Sequence, residues 1–233
     1  MGFQGPHINH LTPRTLDIDA AQQGMIAQGL PAKAVVEGPP KRDCPILLRQ
    51  TSFKALEEKV RFVGAQDFGT HTARFGEIEE RGVALTPKGR ALYDRLLAET
   101  RAKIVPAPDG SNSAAYVEAL SSAFAAFPDS WREMHDDGLA YFRYKAVEAV
   151  SGDLNQALDA GAIEISPIIY EDFLPVSAAG IFQSNLGDGN SQTKMEQTSS
   201  AQFVAALGAE PADEFALYAV IQEQSLQRAL AGA

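Results

Sequence analysis

Strand-like tracts and stripes of helical periodicity interleave along this chain, which restricts it to a mixed architecture. The strand signals lie in "HINHLT" (7–12), an apolar run at 45–50, "THTARFGEIEER" (70–81) and "AIEISPIIYEDFLPVSAAGIFQSNL" (162–186). Between them, Asp17 is placed to cap a helix reaching to about Leu30, with Ile18, Ala21, Met25 and Leu30 inward and Pro31 as its stop. Thr86-Pro87 offers a cap and a first-turn proline for a helix to about Ala102 carrying Leu92, Leu96 and Leu97. A third helix is predicted near 112–127, with Tyr116, Leu120, Phe124 and Phe127 inward, and two more at roughly 194–207 and 211–230. "GLAYFRYKAVEAV" (138–150) suits either period. The expected fold is α+β, a single domain over 1–233 with helices around a modest sheet.

A chain of 233 residues, 45% hydrophobic, can bury a sizeable core. Its formal net charge of -10, without any basic run, argues against nucleic acid or an anionic membrane as the main partner. An anionic substrate would have to be met by a few placed arginines, against the overall field. The one cysteine, Cys44, excludes an internal disulfide and suits a reducing compartment. No apolar run has the length of a membrane span, and no signal peptide is visible, so cytoplasm is the expected location. Oligomeric state is not legible.

Chemistry concentrates in two stretches. "GPHINHLTPRTLDID" (5–19) holds His7 and His10, half of the four histidines. Residues three apart in a strand face opposite sides, so at most one of them serves a given ion from a regular strand. His10 shares its face with Ile8, Thr12 and Arg14; His7 shares its face with Asn9 and Leu11. Taken alone, either is more often a structural or surface histidine. "RFGEIEER" (74–81) puts Glu77 beside Phe75 and four residues before Arg81. A carboxylate turned into a sheet is costly unless paired or metal-bound. The plain alternative is a solvated strand edge, which Glu79 and Glu80 favour.

Two histidines and one carboxylate on one side of a metal leave positions open for a 2-oxo acid and O2, as in ferrous oxygenases. The in-chain candidates for a second histidine are His7, His71 and His135. His71 has the strand parity of Glu77 but lies about 20 Å away along an extended strand. Arg14 and Arg49 are candidates for gripping carboxylates with bidentate forks, against the equal alternative of surface arginines. Trp131 and the aromatics of "YFRY" read as core, and His135 as a loop histidine.

"GPHINHLTPRTLDID", "PILLRQTSFKALEE", "FGEIEERGVALTPKGR" and "YEDFLPVSAAGIFQSNL" resemble the blocks of the 2-oxoadipate dioxygenase/decarboxylase family, of the wider vicinal-oxygen-chelate fold. The blocks span about residues 3–186. "FGEIEER" is also similar to the glutamate-bearing strand of 4-hydroxyphenylpyruvate dioxygenase and its relatives. The resemblance implies a half-barrel sheet surrounded by helices, Fe(II) held by two histidines and a glutamate, and O2 as co-substrate. It implies conversion of 2-oxoadipate to D-2-hydroxyglutarate with release of CO2, in lysine catabolism. Carried across, it makes His10 and Glu77 metal ligands, with His7 or His71 as lesser substitutes. It places Val176 and Ser177 at the distal end of the substrate, although a small residue in a turn after Pro175 accounts for Ser177 equally well. The family's other histidine lies in a "DHxAxRT"-like block that also carries a substrate-binding arginine, and no such block occurs here. The chain is therefore expected to match the C-terminal part of a longer enzyme. The rival expectations are an inactive or non-catalytic fragment binding a small acid or a partner chain, and a dioxygenase for another 2-oxo acid.

Overall fold

The computed structural model describes residues 12–30, 32–52, 56–61, 63–64, 66–73, 77–107, 109–149, 152–171, 204–210 and 212–231. Along the chain the named elements are α1 (Ile18–Ala27), β1 (Leu48–Ser52), β2 (Leu56–Val60), β3 (Gly69–Ala73) and β4 (Glu77–Arg81). They continue with α2 (Pro87–Lys103), α3 (Ser113–Phe124), α4 (Trp131–Asp136), β5 (Phe142–Ala146), α5 (Leu154–Asp159), β6 (Ile163–Pro167) and α6 (Glu214–Ala231). The α+β expectation holds for these residues.

Helix starts follow local chemistry. The Asp17 side chain accepts from the Ala20 N–H, and the Thr86 hydroxyl accepts from the Gly89 N–H ahead of Pro87. The first helix ends before Pro31, because Gly29 adopts a left-handed φ of 73° and the Leu30 N–H reaches back to the Met25 carbonyl. Leu30 accordingly falls outside the buried stripe and is 45% exposed.

Pairing is antiparallel in β1–β4, β2–β3 and β5–β6. The tract at 70–81 thus divides into β3 and β4, which pair with different partners, rather than running as one strand. The apolar run at 45–50 forms a strand only from Leu48, since Leu47 has a positive φ of 52°. The ambiguous tract at 138–150 resolves as β5, paired with β6. Short bridges stitch the pairs together: Val83 lies beside both Ile46 and Ile169, and Leu85 beside Ala140. Gly82 permits this, because a Cβ there would collide with the Pro45 backbone.

The main core gathers around these bridges. Ile46, Val83, Leu85, Phe124, Phe127, Met134 and Phe142 are buried together, with Tyr93 on α2 set edge-on to Phe124 on α3 at 5.5 Å between ring centroids. Helix α6 covers the free edge of β5: Gln222 accepts the Phe142 N–H at 2.8 Å and the Ser225 hydroxyl accepts the Tyr144 N–H at 3.1 Å. His135, expected in a loop, sits on α4 with Nε2 2.9 Å from the Tyr144 hydroxyl. Six-residue α4 and α5 are too short to leave a periodic signal; their local marks are the caps Ser130 and Asp153, the latter in a capping box with Gln156.

Candidate functional site

The β1–β4 ladder sorts the candidate residues onto two faces. Cross-strand partners point the same way, so Glu77 with Ser52, Glu79 with Gln50, and Arg81 with Leu48 share one face. Ile78 with Thr51 and Glu80 with Arg49 share the other.

Helix α1 covers the second face. Arg49 grips the Asp19 carboxylate with both terminal nitrogens at 2.7 and 3.0 Å, donates Nε–H to the Pro39 carbonyl at 3.0 Å and reaches Glu80 at 3.4 Å. Glu80 also accepts the Ile18 N–H, one of the donors left open at the start of α1. Arg49 is buried. Burial opposes its charge, yet hydrogen bonds to Asp19 and the charges of Asp19 and Glu80 keep the guanidinium above its ordinary value. The sequence-predicted candidate Arg49 therefore lies across the sheet from Glu77, with its donors engaged inside the chain.

The first face carries a second ionic group. Glu79, which the solvated-edge alternative places in water, is only 3% exposed. It takes Arg81 Nε at 2.7 Å and Arg14 Nε at 3.3 Å. Arg81 also donates to the Tyr170 carbonyl at 2.8 Å. Arg14 is half-exposed and turns both terminal nitrogens onto Glu171 as a fork. That fork holds the Glu171 carboxyl below the usual carboxylate range. Glu79, Arg81 and Glu171 were not among the sequence candidates. The two-residue spacing Glu77–Glu79–Arg81 is the signal that could have found the first two, since it repeats on one face of a strand.

Glu77 stands at the first position of β4 and is half-buried. Among the described residues no side chain pairs with or donates to its carboxylate. Directly across the ladder, the Ser52 hydroxyl is buried and has no hydrogen-bond partner among the described residues. An anionic oxygen donor beside an unpartnered hydroxyl fits a hard or borderline divalent cation in its donor chemistry. The segment Pro13–Thr15 runs beside β4 in parallel: Glu79 N–H donates to the Pro13 carbonyl at 3.1 Å and Thr15 N–H to the Glu79 carbonyl at 2.8 Å.

His7, His10, Val176 and Ser177 lie outside the described residues. His71 is on β3 opposite Glu58, in a different strand pair from Glu77. Among the described residues no three histidine, cysteine, aspartate or glutamate side chains come together as a metal cage. No helix among them is long and apolar enough to cross a membrane.

Comparisons with known proteins place this arrangement in context. The family model for 2-oxoadipate dioxygenase/decarboxylase matches residues 1–185. A 2-oxoadipate dioxygenase/decarboxylase of Pseudomonas putida is 55% identical over 237 residues, covering 97% of this chain and 51% of the relative. One from Escherichia coli K12 is 52% identical over 235 residues, with 97% and 51% covered. The crystal structure of the hydroxyglutarate synthase from Pseudomonas putida in complex with 2-oxoadipate superposes with a TM-score of 0.79 at 53% identity, covering 98% of this chain and 52% of that one. The chain spans about half the length of the curated relatives it matches.

Proposed function

Because this chain belongs to the 2-oxoadipate dioxygenase/decarboxylase family, we propose that it carries the glutamate and one histidine of an Fe(II) site that converts 2-oxoadipate to D-2-hydroxyglutarate and CO2. The fold in this reading is a vicinal-oxygen-chelate half-barrel forming a single domain, and the setting is cytoplasmic lysine catabolism. The observation that carries the proposal is Glu77, a half-buried carboxylate without a partner among the described residues, on the face of the β1–β4 ladder opposite α1. The course of Pro13–Thr15 along β4 supports His10 as the imidazole ligand, since that segment follows His10 closely in the chain.

Ferrous iron, when bound, supplies the activation of O2 and the redox chemistry. The chain's own residues supply geometry and charge. Glu77 provides an anionic oxygen and His10 a neutral imidazole, a set that leaves positions for substrate. Arg14 takes a substrate carboxylate by exchanging it for Glu171, whose fork already has the geometry such a carboxylate needs. The family resemblance assigns Val176 and Ser177 to the distal end of the substrate, where a serine hydroxyl is a donor for a carboxylate. Arg49 contributes from the opposite face, by locking α1 onto the sheet behind the site.

Glu77→Ala and His10→Ala are each expected to abolish O2 uptake that depends on Fe(II) and 2-oxoadipate. Unchanged turnover in either variant excludes that residue as a ligand. A second reading, an inactive fragment of this fold, is favoured by one observation: Arg14 and Arg49 are both held by carboxylates of the chain itself. Anaerobic Fe(II) titration with 2-oxoadipate separates the two, because only a metal-bound 2-oxo acid gives a chelate absorption band.

A further inference from the structure

Arg14 divides its donors between two carboxylates in unlike surroundings. Its Nε meets Glu79 at 3.3 Å, and that carboxylate is buried and held from its other side by Arg81 Nε at 2.7 Å. Its two terminal nitrogens fork onto Glu171, one of them at 3.0 Å, and here both side chains are more than half exposed. The two contacts differ in permanence. Stripping a cation from a buried carboxylate is strongly unfavourable, whereas an exposed ion pair is screened and worth little. Glu79 therefore fixes the guanidinium, and Glu171 occupies the end of it that can change partner. A displaced Glu171 keeps a second cation nearby, since its Oε2 stands 4.0 Å from Arg81 Nη1. Glu79 lies on the same face of the ladder as Glu77, two residues along β4.

We infer that Glu171 is a specificity-determining residue: it stands in for the far carboxylate of a diacid on the Arg14 fork and gives way only to a ligand that brings a carboxylate of its own. A 2-oxo acid with an apolar tail leaves the fork closed. A dicarboxylate opens it, with Glu79 holding Arg14 in place throughout. This rests on the proposed function in one respect, that the far end of the acid reaches Arg14, and it requires no metal.

Calorimetric titration of the metal-free chain with 2-oxoadipate, and with 2-oxohexanoate as its analogue without the second carboxylate, tests the exchange. Glu171→Gln should tighten 2-oxoadipate roughly two- to fivefold, the range that an exposed ion pair sets, and leave 2-oxohexanoate unchanged. Glu171→Asp keeps the charge but has an arm too short for the fork, so it should tighten 2-oxoadipate in the same way. Arg14→Ala should remove the preference for 2-oxoadipate over 2-oxohexanoate. Equal gains for both acids in Glu171→Gln, with none in Glu171→Asp, would assign the effect to the general field and overturn the exchange. An unchanged Kd for 2-oxoadipate in both Glu171 variants would overturn it too, as would the absence of 2-oxoadipate binding by the unaltered chain and both variants. The iron site is judged separately. An Fe(II) chelate band alongside unresponsive Glu171 variants sinks only the exchange, and responsive variants without a chelate band sink only the metal site.

Discussion

Arg14 and Arg49 carry the same side chain and illustrate how differently one guanidinium can be used. Arg49 is buried, its three nitrogens divided among Asp19, Pro39 and Glu80. Removing such a cation leaves two carboxylates beside each other with only the exposed Lys41, 4.0 Å from Asp19, and the Ile18 N–H on Glu80 to offset them. Arg49→Met is therefore expected to cost roughly 3 kcal/mol in urea unfolding. Arg49→Lys should recover only part of this, because an ammonium cannot reproduce the fork on Asp19 together with the bond to Pro39. Arg14, half-exposed and clamped to Glu171, belongs to the class of pairs worth little to stability. Arg14→Ala should leave the urea midpoint almost unchanged while, in the proposed reading, raising KM for the dicarboxylate.

At the scale of elements, α2 depends on one residue before its first turn. The Thr86 hydroxyl accepts the Gly89 N–H at 3.1 Å and donates to the Gly138 carbonyl at 2.7 Å, so a single group caps the helix and ties it to the segment entering β5. Thr86→Ala should lower stability by about 1–2 kcal/mol, and Thr86→Ser should restore most of it. A loss of less than about 0.3 kcal/mol in Thr86→Ala would show that neither bond matters. In the proposed reading, the β1–β4 ladder is the element on which function turns. One of its faces is filled by α1, through Arg49, Glu80 and Thr51, and the other is left to Glu77, Ser52 and the Glu79–Arg81 pair. A one-residue slip in this register would exchange the two sets. The ion pairs on both faces therefore discriminate against that slip as well as filling space.

For the whole molecule, titration sets both ends of the pH range. The Glu171 carboxyl is lowered by Arg14, and that of Asp136 by hydrogen bonds from His135 and then Arg132. Groups with depressed values add stability that is present above their unfolded values and lost as pH falls through the folded ones. Both carboxylates are exposed, so solvent screens the effect: only a shallow acid limb is expected below about pH 4.5, and Glu171→Gln should change it slightly at most. Burial acts in the opposite direction on the Tyr93 hydroxyl, pushing it up to about 12, and also raises Tyr141 and Tyr144. Raised values give stability that is complete below the ordinary tyrosine value near 10 and lost as pH climbs through the folded one. Tyr93→Phe should therefore soften the alkaline limb. Unfolding midpoints measured from pH 2 to 12 would show both limbs, and a flat profile at either end would contradict the corresponding assignment.

Local chemistry was legible wherever cause and effect lie within one turn. Asp17 and Thr86 cap helices through bonds to residues three further on, and the Tyr116–Leu120–Phe124 stripe is an intrinsic consequence of helical period. Glu77 could likewise be singled out as a costly carboxylate on a strand. What could not be read is which residues share its surroundings. Ser52 meets Glu77 across 25 positions of chain, Arg14 meets Glu79 across 65, and Arg14 meets Glu171 across 157. Those meetings depend on strand register and on which face α1 occupies. Both are settled by burying the whole core at once, and neither leaves a trace in any short window of sequence.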